Sequence, residues 1–291
     1  MKNLRIGTCS WKYPTWFPEL YSAPKGINYL AEYSTRYDTV EIDQWFWSLF
    51  GPADVVLPKA ETVSEYAASV PAEFRFTVKA PNSITLTHLY KRYTKGKLVP
   101  NKHFLSTELL EAFLETLGPL HSKLGPIMFQ FEYLNRTKMA SMRQFIDQLA
   151  EFFDKAPEGF SYALEPRNPQ LFNRPYFSFL KERGLSHVFI QGYYMPEITT
   201  VYAPWNSLID REAIIRLHGY DRLGVEEKTK KKYDKIVVSM DEELPGVIKM
   251  IQDMRSRGVS VYLNVNNHYE GSAPLSIGKI VESIGDSDRI A

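Results

Sequence analysis

The stretch Ile214-Ile215-Arg216-Leu217-His218-Gly219 places the tightest limit on how this chain folds. With a period of two, Ile215 and Leu217 share one face and Arg216 and His218 the other, which reads as a strand that is apolar outside and charged inside. A charged interior is costly unless its charges are paired or used. The anomaly recurs. Thr39 to Asp43 sets Val40 and Ile42 against Glu41 and Asp43, Phe74 to Lys79 sets its phenylalanines and Val78 against Arg75, Thr77 and Lys79, and Tyr162 to Arg167 turns Glu165 and Arg167 inward.

The patterning predicts further strands over 4–10, 126–131, 187–191 and 260–265, the third of these weakly because its two faces hardly differ. Helices are expected over 28–37, 61–69, 107–120, 138–153, 241–257 and 274–284. Another starts at an Asn173 cap, with Pro175 just inside it, and stops at Gly184. Strand and helix thus alternate about eight times, links into strands are short, and the long irregular segments follow strands. That asymmetry belongs to a single-domain TIM (β/α)8 barrel over residues 1–291, with long loops after strands 1, 3 and 7 at its working end. A flavodoxin-like open sheet is the rival, but it prefers fewer strands and continuously apolar central ones.

Size permits a barrel, since 291 residues at 44% hydrophobic content bury a full core. Lys plus Arg at 35 against Asp plus Glu at 34 leaves no global basic field, so local patches must carry any claim of nucleic acid binding. Cys9 is the sole cysteine, which excludes an internal disulfide and any multi-cysteine zinc site. The start, Met1-Lys2-Asn3-Leu4-Arg5, has no apolar signal core, and no run of about 18 apolar residues follows. The expectation is a cytoplasmic protein without membrane association, its oligomeric state left open.

At Gly7-Thr8-Cys9-Ser10-Trp11, Thr39 to Asp43, Phe74 to Pro81, Gly125 to Phe131, Glu165-Pro166-Arg167, Arg216-Leu217-His218-Gly219 and Asn266 to Gly271, the sequence resembles the YecE-like family, domain-of-unknown-function family seventy-two. The resemblance runs in order along nearly the whole chain. It implies a TIM barrel with a polar pocket at the carboxyl end and no established reaction; a likeness to the phosphodiester site of endonuclease IV has been proposed for such proteins. Two departures stand out. Cys9 replaces a usual serine, which argues against a cysteine nucleophile, and the Lys-rich insert after strand three is longer than usual.

The inward set is Glu41, Asp43, Lys79, Gln130, Glu165, Arg167, Arg216, His218, Asn266, Asn267 and His268. Glu41 and Glu165 are the candidate acid and base, with His218 as proton relay. Lys79, Arg167 and Arg216 suit a phosphate or carboxylate, and Gln130, Asp43, Asn266, Asn267 and His268 complete a polar lining. A balanced salt-bridge plug is the bland alternative. His218, His268, Glu165 and Asp43 are metal-ligand types without ligand spacing, so no metal site is assigned and a divalent metal stays a minor alternative. A cluster of the endonuclease IV type needs more histidines than this set supplies. No phosphate-cradling glycine loop appears, so no dinucleotide cofactor is expected. Trp11, Trp16, Trp45 and Trp47 either stack on sugar rings or bases or form a hydrophobic lid. Lys91, Arg92, Lys95, Lys97 and Lys102, and then Lys228 and Lys230 to Lys232, either track a phosphate backbone or are solvated faces. The leading expectation is an acid/base enzyme for a small polar or phosphorylated substrate. The alternative is a nucleic-acid-binding module without turnover.

Overall fold

The computed structural model describes residues 3–51 and 54–285. Met1 and Lys2, which open the expected leaderless start, lie outside the described residues. The elements run β1 (Leu4–Cys9), α1 (Tyr29–Arg36), β2 (Thr39–Ile42), α2 (Ala60–Ser69), β3 (Arg75–Lys79), α3 (Asn82–Thr85), α4 (Thr107–Thr116) and β4 (Leu124–Gln130). They continue as α5 (Met142–Phe153), β5 (Tyr162–Glu165), α6 (Arg174–Arg183), β6 (Ser186–Gly192), α7 (Ile198–Tyr202), β7 (Glu212–Gly219), α8 (Arg222–Thr229), α9 (Leu244–Ser256), β8 (Ser260–Val265) and α10 (Ala273–Ile284). The strands pair in parallel in the order β1-β2-β3-β4-β5-β6-β7-β8, and β8 returns to β1. This closure makes a TIM barrel and excludes the open-sheet rival.

Both strand faces are buried, as parallel sheets require. The outward set, including Val40, Phe76, Phe129, Ile215 and Leu263, joins the main core beneath the helices. Met128, Ala163, Val188, Ile214 and Tyr262 form a separate apolar plug inside the barrel. Helix starts follow local chemistry. The side chains of Asn28, Ser106, Ser141, Asn173 and Asp221 accept hydrogen bonds from the first backbone N–H groups of α1, α4, α5, α6 and α8.

Several expected boundaries move. The helix expected from residue 138 begins at Met142, because Ser141 caps it while Asn135 Oδ1 holds the backbone N–H groups of Thr137 and Lys138 in a turn. The helix expected over 107–120 leaves α geometry after Thr116, and residues 118–123 form a 3₁₀ segment around Pro119. The segment after β7, expected to be irregular, contains α8, and α7 stands unpredicted between β6 and β7. The long loop after β3 is also structured, with α3 fully buried.

Candidate functional site

The polar ends of β2, β3, β5 and β7 meet on the barrel axis. Arg216 lies at the centre, 1% exposed, and donates through Nε and Nη2 to the two oxygens of Glu41, each at 2.7 Å. Its third nitrogen, Nη1, donates to Glu165 Oε2 at 2.5 Å. The other oxygen of Glu165 accepts from Arg167 Nη2 at 2.5 Å. Lys79 Nζ stands 3.7 Å from Glu41 Oε1 and 5.3 Å from the centre of the Phe46 ring. Burial of Glu41 and Glu165 is complete. Such charges persist only because every carboxylate oxygen meets a cation.

Electrostatics then separate the titratable groups. Burial alone would raise the Glu165 carboxyl, but Arg216, Arg167 and Lys79 outweigh it and hold its pKa at about 2. Asp43 shifts the opposite way, raised first by burial and then by Glu41. Burial, reinforced by Arg216, lowers Lys79 and keeps His218 far below the usual imidazole range. Burial and the neighbouring Glu41 carboxylate raise the Cys9 thiol, so it is protonated and unsuited to nucleophilic attack. Its sulfur lies 3.6 Å from both Glu41 Oε2 and His218 Nε2.

His218 is held from its other side by Tyr193, whose hydroxyl is 3.0 Å from Nδ1. The same Tyr193 ring lies under Arg167, with 5.3 Å from Cζ to the ring centre. A backbone device puts it there. Gly192 at the end of β6 has φ 119°, and a Cβ on it would fall 2.0 Å from the carbonyl oxygen of Gly219 at the end of β7. The two strands therefore touch through glycine, and the chain leaves β6 through left-handed Tyr193 and Tyr194, folding Tyr193 back over the mouth. Sequence reasoning missed Tyr193; the available signal was a glycine followed by two aromatics at a strand end. It also missed Asn264, an inward β8 residue that donates to Thr77 Oγ1 at 2.9 Å and that alternation between Leu263 and Val265 would have flagged.

Not every expected site residue joins this cluster. Gln130 pairs in register with Glu165 and is partly exposed at the end of β4. Asn266 Oδ1 accepts from the His268 backbone N–H, and Asn267 Oδ1 from that of Ala273, both at 2.9 Å, so these oxygens shape the turn after β8. His268 Nε2 meets Tyr233 and Glu226 of the segment after β7, at 3.2 and 3.3 Å. Trp11 is buried, edge-on to Tyr66 at 4.9 Å, and Trp45 stacks on the same ring at 5.8 Å. Trp16 is buried too, while Trp47 is 58% exposed. The aromatic rim is thus mainly internal packing, with Trp47 left as an open ring. Among the described residues, no three His, Cys, Asp or Glu side chains group as a metal site, and no helix is long and apolar enough to cross a membrane.

A closed parallel barrel with its charged residues gathered at the carboxyl ends of the strands is the TIM-barrel class. Within it, the chain belongs to the family described as "Protein of unknown function DUF72", whose model matches residues 5–290. It is similar to the UPF0759 protein YecE of Escherichia coli, 24% identical over 180 residues that make up 62% of this chain and 54% of that protein. The chain thus spans about half the length of the curated relatives it matches. Among solved structures it is similar to a DUF72 family protein from Enterococcus faecalis, with TM-score 0.68 and 19% identity over 97% of this chain and 95% of that one. It is likewise similar to one from Thermotoga maritima, with TM-score 0.65 and 20% identity over 97% and 99%. At these identities the likeness concerns the fold.

Proposed function

We propose that the mouth binds a small anion, a phosphate ester or a carboxylate, between Lys79 and Arg167, and performs acid/base chemistry on it. The observation that carries this reading is the uneven use of donors. Arg216 spends three nitrogens on the buried carboxylates, whereas Lys79 makes one ion pair, at 3.7 Å, and Arg167 Nε is buried without a partner among the described residues. A buried cationic donor left idle is expensive, and an incoming anion satisfies it. Glu41 and Glu165, whose oxygens already accept from cations, then serve as the fixed anions of the site, and Glu165 at about 2 carries protons poorly near neutrality. The proton-transfer role expected of them passes to Asp43, whose pKa moves toward neutrality, beside a neutral His218 that donates or accepts a hydrogen bond.

The test uses inorganic phosphate as ligand in calorimetry and a panel of nitrophenyl phosphate mono- and diesters as substrates. Lys79→Met and Arg167→Met should each weaken phosphate at least tenfold in protein that circular dichroism shows to be folded at the assay temperature. Asp43→Asn should abolish turnover while leaving phosphate binding in place. Phosphate that fails to bind the natural protein, or that binds both Met variants equally well, sinks the reading.

A further inference from the structure

Among the described residues, the large exposed hydrophobic side chains all lie on segments that follow strands, at the barrel's carboxyl face: Phe17 after β1, Trp47 and Phe50 after β2, Tyr133 after β4, Tyr194 after β6 and Tyr220 after β7 are examples. The opposite face carries none of them. Exposed apolar side chains gathered on one face mark a contact surface. Its partner is indicated by charge. Residues 80–106, on the same face, contain Lys91, Arg92, Lys95, Lys97 and Lys102 and no Asp or Glu. All five cations are exposed, and none is ion-paired among the described residues.

This arm is built rather than loose. Leu89 N donates to Val99 O and Asn101 N to Thr87 O, both at 2.9 Å, closing a hairpin whose tip turns through left-handed Lys95 and Gly96. Asn101 Nδ2 fastens its base, donating to Ser83 O and Leu86 O at 2.7 Å. Asn82 Oδ1 accepts from Ser48 N, Ser48 Oγ and Leu49 N, tying the arm to the loop that presents Trp47 and Phe50. Leu49, Leu86 and Leu89 pack together beneath that joint. Arg92 sits over the rings of Tyr90 and Tyr93, 5.0 and 4.8 Å from their centres, and donates to the Tyr93 hydroxyl at 3.0 Å, which fixes its direction before any ligand arrives.

We infer that this arm and the adjoining Trp47 form a docking surface for single-stranded nucleic acid. Regularly spaced phosphates match a row of uncompensated cations, and unpaired bases offer faces for open rings to stack on, which a duplex hides. The surface lies outside the Glu41–Arg216–Glu165 cluster, so the inference goes beyond the proposed chemistry and does not depend on it.

The experiment is fluorescence anisotropy of the full chain with a fluorescein-labelled oligothymidylate over a salt series. Inorganic polyphosphate and phosphatidylserine vesicles serve as competing polyanions. Replacing Lys91, Arg92, Lys95 and Lys97 together by Ala should weaken binding at least tenfold and reduce the slope of log affinity against log salt by about 3, from roughly 0.7 per phosphate contact. Trp47→Ala should weaken the oligonucleotide by about tenfold and leave polyphosphate unaffected, since stacking contributes roughly 1–3 kcal/mol per base. Lys79→Met should leave the oligonucleotide affinity unchanged, which separates this surface from the anion site. Absence of oligonucleotide binding, indifference to the fourfold change, equal sensitivity of polyphosphate to Trp47→Ala, or preference for vesicles overturns the inference.

Discussion

Inside the barrel, Met128, Ala163, Ile214 and Tyr262 belong to one apolar plug, while two residues farther along the same strands stand Gln130, Glu165, Arg216 and Asn264. β6 alone keeps its character across that step, from Val188 to Ile190. One set of strands therefore carries two layers of opposite chemistry. The lower layer is what stability alone would select. The upper layer is poorly explained by stability, because apolar residues of similar volume serve a core as well as buried ion pairs or better. Full burial of Glu41, Glu165 and Arg216 at the end where TIM barrels place their active sites is the physical reason to treat the upper layer as functional.

The largest expected effect comes from taking one partner out of the upper layer. Arg216→Met strands two fully buried carboxylates and should cost about 3–5 kcal/mol, as large as the roughly 2–5 kcal/mol expected for Ile214→Ala in the plug below. The layers part in the compensated change. Replacing Glu41, Glu165 and Arg216 together by Leu, Leu and Met should regain much of the stability, because no carboxylate is then left buried without its partner. Urea unfolding followed by circular dichroism measures both. A loss under about 1 kcal/mol for Arg216→Met would mean water reaches the cluster, and the contrast between layers would dissolve.

Acid provides the next test. His187 on β6 is buried among Phe172, Phe177 and Phe189 and touches the Tyr176 hydroxyl at 3.0 Å; burial lowers its pKa from 6.5 to about 3. Its folded pKa is below its unfolded one, so its contribution is complete above pH 6.5 and is lost as pH falls toward about 3. Glu165 obeys the same sign in a lower window, from 4.5 down to about 2. Melting temperature should therefore fall in two stages on acidification. His187→Gln should flatten the upper stage and leave the lower one, and a melting temperature constant from pH 6.5 to 4.5 in the natural chain would contradict it.

The period-two pattern made much of this legible. Glu41, Lys79, Glu165 and Arg216 had to share an interior once their apolar neighbours were assigned to the helical shell, and β8 falls where the alternation placed it. Pairing was not legible, since nothing local says that Arg216 would take both oxygens of Glu41 from a strand 175 residues away. Nor was α8, whose Lys-rich run hides a short buried stripe of Val225 and Thr229. The two basic segments look alike in sequence yet differ in space. Arg222 and Lys231 are spent on Glu226, whereas the arm after β3 has no acidic residue to spend its cations on.

The smallest expected effect lies within the upper layer, where Asn264 Nδ2 donates to Thr77 Oγ1 across the barrel at 2.9 Å. Both residues are fully buried, and Asn264 Oδ1 has no partner among the described residues. Thr77→Val removes the acceptor and leaves the amide donor unpaired as well, so it should cost about 1–3 kcal/mol although the side-chain volume is nearly unchanged. Adding Asn264→Leu removes the whole amide and should return most of that loss, because replacing both partners of a buried hydrogen bond by apolar groups of the same shape is close to neutral. The double-mutant cycle reads the coupling directly. A coupling energy near zero would mean that water already reaches this pair, and that the upper layer is wet where the apolar layer beneath it is dry.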